Sequence, residues 1–369
     1  MATSQVRTRV LIISDTHLAR LEETGANGRI LPFQKPLPAA DVLIHCGDLT
    51  RSGTLDEFRT ALELLREIDA PMKLVIAGNH DLLLDREYLR AHRHHYDLDH
   101  EQAEEVWRQA RFFWSAPDGP AAEAGVTFLD EGHHEIHLPN GARLLVYASP
   151  YTPAFCDFGF AYEKHEDRFN NSSLLPQIGS SIAVHPVKPF LTTAKPTDIM
   201  ITHGPPYLRR DCTIRGQHVG CPHLLRAVEH TRPLIHCFGH IHEAAGAEIV
   251  EWPAPGNELP APSEALVLDA WRRGTLGEEL AALSKALTTR ATVEVFNRSH
   301  AVEVDINQGS AHCIRRGQDT LMVNAAIMNA HNRPENPPCK QEPATSKVFI
   351  DADCELCLGL IHVDLPKAL

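Results

Sequence analysis

Short, mainly apolar runs recur along this chain, and each ends on side chains that can donate a lone pair. Val10–Ile13 leads to Asp15-Thr16-His17, Asp41–Cys46 to Gly47-Asp48, and Met72–Ala77 to Gly78-Asn79-His80. Asp198–Thr202 leads to His203, and Leu234–Phe238 to Gly239-His240-Ile241-His242. Runs of this kind read as strands covered on both faces. Between the second and third, Leu55, Phe58, Leu62, Leu65 and Ile68 recur at helical spacing, which predicts an amphipathic helix over Thr54–Ile68. Strand, helix, strand is a βαβ unit with a right-handed crossover. The expected core is mixed sheet with outer helices and chemistry at the carboxyl ends of strands.

Other segments fill in that frame. Asn140-Gly141 marks a hairpin between Glu135–Leu138 and Arg143–Ala148. Pro222–His230 reads as a helix with Pro in its first turn. Glu101–Trp114 reads as a helix whose Trp107, Phe112, Phe113 and Trp114 serve as core or as a pocket wall. Tyr162–Lys195 is polar with weak periodicity. Residues 251–319 read as a large insertion that opens on Pro253, Pro255, Pro260 and Pro262. A helix is expected there at Gly277–Leu287, with strand pieces at Thr292–Phe296 and Ala301–Ile306. Asn332–Gln341 reads as irregular, and Lys347–Asp351 and Leu360–Val363 as edge strands. The expected division is a main domain over 8–250 plus 320–352, the insertion over 251–319, and a tail over 353–369.

Composition narrows the function classes. The 369 residues are 43% hydrophobic, enough for a sizeable core. A net charge of -13 argues against nucleic-acid backbone as the partner, but a small phosphorylated substrate in a locally positive metal pocket stays open. There is no apolar signal region and no run near the ~18 apolar residues of a membrane span, so no secretion or membrane insertion is expected. Nine cysteines, with Cys46 and Cys237 inside strand-like runs, suggest a reduced, cytoplasmic setting.

The strand-end residues form a ligand set. Asp15 and His17 can turn toward one ion, and the Asp48 carboxylate can bridge two. Asn79 offers a neutral amide oxygen, and His203, His240 and His242 complete the donors. Gly47, Gly78, Gly204 and Gly239 are expected to allow close approach and unusual backbone angles beside them. Two cations ~3.5–4 Å apart can share a hydroxide and polarise phosphoryl oxygens, which points to hydrolysis at phosphorus. His80 is placed to donate to a phosphoryl or leaving oxygen. The cluster His92, His94, His95 and His100 reads as polar surface, and Cys354 and Cys357 as incidental thiols. Cys313 and Cys339 complete a zinc site only where the fold brings them close.

The ordered motifs resemble the calcineurin-like metallophosphoesterase superfamily. The likeness is greatest to its brain-type metallophosphoesterase-domain proteins and to bacterial cyclic-nucleotide phosphodiesterases. It is carried further by His45-Cys46-Gly47-Asp48-Leu49-Thr50, Gly78-Asn79-His80-Asp81, Ser149-Pro150-Tyr151-Thr152-Pro153, Thr202-His203-Gly204-Pro205-Pro206 and Val323-Asn324-Ala325. The resemblance implies a four-layer α/β/β/α sandwich of two mixed sheets. It implies Asp15, His17, Asp48 and His242 on a first metal, and Asp48, Asn79, His203 and His240 on a second. His80 would be the transition-state histidine, and the ions manganese, iron or zinc. Where protein phosphatases of the superfamily carry Gly-Asp-x-x-Asp-Arg-Gly, this chain has Arg51 and Ser52 at the Asp and Arg positions, which argues against that subclass. Some brain-type relatives have lost a metal histidine; His240 and His242 are both present here.

The reading is therefore a dinuclear-metal phosphoesterase acting on small phosphodiesters such as nucleotides. The alternatives are a phosphomonoesterase and a nucleotide-binding scaffold. Tyr151, Phe155 and Tyr207 are the candidate substrate contacts.

Overall fold

A computed structural model of the chain describes residues 5–21, 37–171, 181–254, 288–293, 302–328 and 359–368. Its first half runs β1 (Gln5–Ile13), β2 (Val42–His45), α1 (Leu55–Glu67), β3 (Met72–Val75), α2 (Arg86–His92), α3 (His100–Ser115), α4 (Pro120–Glu123) and β4 (Val126–Phe128). The hairpin β5 (Gly132–His137) and β6 (Arg143–Ser149) follows, then the short β7 (Thr152–Pro153) and β8 (Ala161–Tyr162). The second half holds β9 (Ile199–Thr202), α5 (Pro222–Thr231), β10 (Ile235–Phe238), β11 (Gly246–Glu251), β12 (Thr288–Val293), β13 (Val302–Asp305), β14 (Asp319–Asn324) and β15 (Gly359–Pro366).

Two sheets pack face to face. One has the order β13-β15-β1-β2-β3-β4, the other β12-β11-β14-β10-β9-β6-β5. Within the first, β1, β2, β3 and β4 are parallel; within the second, β6, β9, β10 and β14 are. Alternation explains the unbroken apolar runs. Val10, Ile12, Val42 and Ile44 face the gap between the sheets, where they meet Val146, Ile199, Ile201 and Ile235. Leu11, Ile13 and Leu43 face outward, under Phe58, Leu62 and Leu65 of α1. On the far side, Met200, Phe238 and Met322 pack beneath Leu224, Leu225 and Val228 of α5. Helices, two mixed sheets and a further helix make the expected four layers.

Local signals set the helix positions. Thr54 and Glu57 form a reciprocal capping box at the start of α1, a device worth ~1 kcal/mol. Asp99 and Gln102 repeat it on α3. Phe113 and Trp114 of α3 are core, with Trp114 edge-on to Phe58 at 5.7 Å, whereas Phe112 stays 53% exposed. That splits the aromatic group expected to act together.

The later segments depart from expectation. Leu360–Val363 is part of β15, which lies between β13 and β1 and is not an edge strand. Residues 359–366, expected as tail, thus belong to the first sheet. The strand pieces of 251–319 are β12, antiparallel to β11, and β13, parallel to β15, so this stretch extends both sheets. Gly277–Leu287, Lys347–Asp351, Asn332–Gln341, Cys339, Cys354 and Cys357 lie outside the described residues. No described helix is long and apolar enough to cross a membrane.

Candidate metal centre

The carboxyl ends of β1, β2, β3, β9 and β10 converge where the two sheets meet. Backbone bonds tie the loops there: Asp15 N–H to Gly47 C=O at 3.0 Å, and Gly239 N–H to His203 C=O at 2.9 Å. Asp15, His17, Asp48 and His240 all adopt positive φ (53°, 42°, 55° and 67°). Left-handed backbone in non-glycine residues costs of order 1–3 kcal/mol each and clusters at functional sites. The glycines were expected to take the unusual angles, but only Gly47 of the four does, at φ 97°. Gly78 and Gly239 serve close approach instead. A Cβ on Gly78 would meet Asp48 Oδ1, and one on Gly239 would meet Asp15 Oδ2.

Three overlapping groups of donor atoms result: Asp15, His17 and His242; His17, Asp48 and His80; and Asp48, His203 and His240. Within each, the donors lie within 4.8 Å of one another. Asp48 reaches toward both sides, with Oδ2 3.5 Å from His17 Nε2 and Oδ1 3.4 Å from His203 Nε2. His242 Nε2 is 3.3 Å from Asp15 Oδ1, and Asn79 Oδ1 is 2.8 Å from His203 Nε2.

Hydrogen bonds behind the ligands fix which nitrogen faces inward. A carbonyl can only accept, so His17 Nδ1–H donates to Thr50 C=O at 2.8 Å, and His203 Nδ1–H to Cys46 C=O at 2.9 Å. Each Nε2 is left turned toward oxygen atoms. A neutral His203 would then point a lone pair at the oxygens of Asn79 and Asp48. The electrostatics register this conflict. Burial disfavours a charged His203, yet Asp48 and Asp15 outweigh it and raise its pKa to about 9. Burial opposes ionisation of Asp48 too, but His203 and His17 hold its carboxyl well below the usual range. Burial drives His240 down to about 3, leaving a neutral, lone-pair donor. Oxygen and nitrogen lone pairs converging on shared points fit metal cations, which would satisfy both.

Groups outside the predicted set brace these ligands. The buried Asp81 accepts from Gly78 N–H at 2.8 Å, Thr50 N–H at 3.0 Å, Leu49 N–H at 3.3 Å and the Thr50 hydroxyl at 2.7 Å. One carboxylate so clips the Asp48 loop to the Asn79 loop. Burial, then the Asp48 charge, raises its pKa to about 7. A matched pair works lower down. His45 meets the hydroxyl of Thr16 at 3.0 Å, and His236 that of Thr202 at 2.9 Å; burial holds both imidazoles neutral, at about 3. Asn324 donates to the carbonyls of Arg210 and Ile241, holding the loop that carries His240 and His242. Sequence signals for these were slight: Asp81 and Asn324 sat in motifs without an assigned role.

The family profile of calcineurin-like phosphoesterases matches residues 8–244. The chain belongs to the calcineurin-like phosphoesterase family. It is 29% identical over 245 residues to metallophosphoesterase domain-containing protein 1 of Homo sapiens, a match covering 65% of this chain and 62% of that protein. It is 32% identical over 246 residues to a protein of Emericella nidulans named probable rhamnogalacturonate lyase C, covering 66% of this chain but 18% of that one. A UPF0046 protein of Caenorhabditis elegans is 27% identical over 215 residues, covering 57% of this chain and 48% of its own length. The chain therefore matches less than two thirds of the length of these relatives. The family's chemistry is metal-dependent hydrolysis of phosphate esters.

A cavity of about 590 Å³ opens over this candidate metal centre. His17, Asp48, Asn79, His80, His240 and His242 form its floor. Of the expected substrate contacts, Phe155 lines it, while Tyr151 and Tyr207 are not in its wall. Tyr151 packs under the Arg168 guanidinium, 3.3 Å from the ring centre, and edge-on to Phe160 at 5.4 Å. Tyr207 is buried among Leu208, Leu224 and Trp252. The Arg168 guanidinium covers the first ring, and the α5 layer packs against the second. The wall instead includes Arg51, Phe158, Lys164, Ile214 and Arg215, none of which sequence reasoning had assigned to substrate. His92, expected as polar surface, points Nε2 at Asp157 Oδ1 at 2.9 Å and steadies the Phe155–Phe158 loop.

Proposed function

We propose that this chain is a dinuclear-metal phosphoesterase acting on small phosphodiesters, including nucleotide-type esters. The observation that carries the reading is the convergence of Asp15, His17, Asp48, His203, His240 and His242, from loops of both sheets, into overlapping donor groups linked through His17 and Asp48. In this reading Asp15, His17, Asp48 and His242 hold one ion, and Asp48, Asn79, His203 and His240 the other. Manganese, iron and zinc all suit such a nitrogen and oxygen set. When bound, the two ions supply a water of lowered pKa and polarise phosphoryl oxygens.

The chain's own groups do the rest. His80 gives its Nδ1 hydrogen to the Arg51 carbonyl at 2.8 Å, which leaves Nε2 to serve the cavity. In the doubly protonated ring that nitrogen can donate a proton to the leaving oxygen or a hydrogen bond to a phosphoryl oxygen. Its backbone N–H donates to Asp48 Oδ1 at 2.8 Å, which ties the His80 loop to that carboxylate. Arg51, Lys164 and Arg215 place positive charge around the cavity for the substrate's anionic oxygens. The cavity's room beyond the floor favours a diester, whose second substituent needs a place, over a bare monoester. A small ester rather than nucleic-acid backbone accords with the net charge of -13. Free thiols at Cys46, Cys156, Cys221 and Cys237 support a reducing, intracellular setting.

Purified protein stripped of metal and reconstituted with Mn²⁺ should hydrolyse bis-p-nitrophenyl phosphate. Asp48→Ala should lower turnover by roughly a thousandfold or more. Equal turnover by wild type and Asp48→Ala would overturn the reading, and a strong preference for p-nitrophenyl phosphate would move it to monoesters.

A further inference from the structure

We propose that Phe155 and Ile214 form a clamp for a flat aromatic substituent of the substrate, making them the specificity-determining side chains of this site. The proposal rests on the phosphoesterase reading above and adds the kind of ester it takes.

Two segments flank the cavity mouth, and both are tied down. In the first, Gly159 N–H donates to Asn79 C=O at 3.1 Å and Phe160 N–H to the Asp85 carboxylate at 2.5 Å. Asp157 is held by His92, and the Phe158 ring lies 4.4 Å from that of His80. The second segment is a hairpin-like finger over residues 205–221. Asp211, fully buried, accepts from Leu208 N–H at 3.0 Å and Gly220 N–H at 2.9 Å, and pairs with His218 at 2.6 Å. Thr213 N–H donates to Gln217 C=O at 2.9 Å, and Gly216 N–H to Thr213 C=O at 2.8 Å, closing the tip. Tyr207 and Cys221 pair across the base.

These braces hold apolar side chains out into water. Phe155 is 68% exposed and Ile214 74% exposed, and both line the cavity over the metal centre. A single exposed apolar residue needs no explanation, but two on braced loops at one catalytic opening mark a ligand surface. A ring entering between them removes apolar area from water on both sides. Phe155 offers a π face to stack, and the neighbouring Arg215 offers a guanidinium that suits an aromatic face. A peptide chain would bring polar backbone to walls that are largely apolar there, and a methyl or sugar-sized aliphatic group would leave Phe155 without a stacking partner. The cavity's 590 Å³ accommodates one phosphoryl group with one ring system.

Phenylphosphonate and methylphosphonate test this directly, because their phosphorus–carbon bonds resist hydrolysis and binding is read alone. Calorimetric titration of the Mn²⁺-loaded protein should show phenylphosphonate bound roughly tenfold or more tighter than methylphosphonate. Phe155→Ala and Ile214→Ala should each erase most of that preference and leave methylphosphonate affinity within about twofold, while Phe155→Trp retains it. Unchanged phenyl preference in the alanine variants, or equal weakening of both ligands, overturns the clamp. If bis-p-nitrophenyl phosphate is hydrolysed yet no phenyl preference exists, the clamp fails and the phosphoesterase reading stands. If neither phosphonate binds and no ester is hydrolysed, both fall.

Discussion

The floor and the mouth of the cavity are built on opposite principles. On and just beneath the floor, Asp15, Asp48, Asn79 and His203 are buried, and their carboxylates, amide or ring are pinned by hydrogen bonds. Left-handed backbone is common to both, at Asp15, His17, Asp48 and His240 below and at Cys156, Phe160, Leu208 and Arg210 in the loops above. At the mouth, Phe155 and Ile214 ride on braced loops but meet solvent. The contrast teaches where different kinds of information reside. Reaction type depends on donor identity and fixed geometry, so it tolerates little change; substrate choice depends on exposed shape carried by loops.

Substitutions at the two places should separate these properties. The largest effect after loss of Asp48 is expected for His80→Ala, which should lower kcat by roughly 10²–10⁴-fold while metal content, measured by atomic absorption, stays at wild-type level. Loss of metal in that variant would place His80 among the ligands and redraw the floor. Asp81→Asn touches neither metal nor substrate, yet it removes acceptor capacity from the clip between two ligand loops. It should weaken metal affinity by roughly 10–100-fold in a chelator competition, whereas Phe155→Ala should leave that affinity unchanged. Equal metal affinity in wild type and Asp81→Asn would show that the loops hold their shape without the clip.

The smallest effect concerns the finger. Burial pulls the His218 pKa down, but the Asp211 hydrogen bond and charge outweigh it and raise it above 6.5. A raised folded-state value means stabilisation that is complete below 6.5 and fades as pH climbs through the folded value. His218→Gln should therefore cost about 1 kcal/mol at pH 6 and less at pH 9, read as the gap between the two melting curves. A gap independent of pH would mean that packing, not charge, holds the finger.

Much of the floor was legible because its chemistry restricts residue type and strand ends restrict position. Asp15, Asp48 and His203 could be placed together without coordinates for that reason. The backbone angles were not legible. Glycine is the usual marker of positive φ, yet here the ligands themselves take it, since each side chain must turn back toward a shared point. Tyr151 and Tyr207 stand beside ligand motifs in sequence, but Arg168 covers the first and the α5 layer buries the second. Ile214 lies in a polar stretch with no periodicity around it, so only the closed hairpin reveals its placement. The position of β15 was hidden because a strand buried between neighbours and one at an edge can share the same few apolar residues.

That strand has a consequence for how the molecule is made. β15 pairs antiparallel with β1, Ile12 opposite Gly359 and Gln5 opposite Pro366. On the ribosome, β1 emerges well before its partner on this side, since every other strand of both sheets lies between them in the chain. Throughout that interval the exposed flank of β1 is an open row of amide and carbonyl groups, a template for any other extended chain. The first sheet closes only after β15 has been made, so its assembly depends on contacts distant in sequence. Any interruption of translation before residue 359 leaves a chain that carries every predicted metal ligand but keeps one side of β1 unpaired, and such fragments should aggregate.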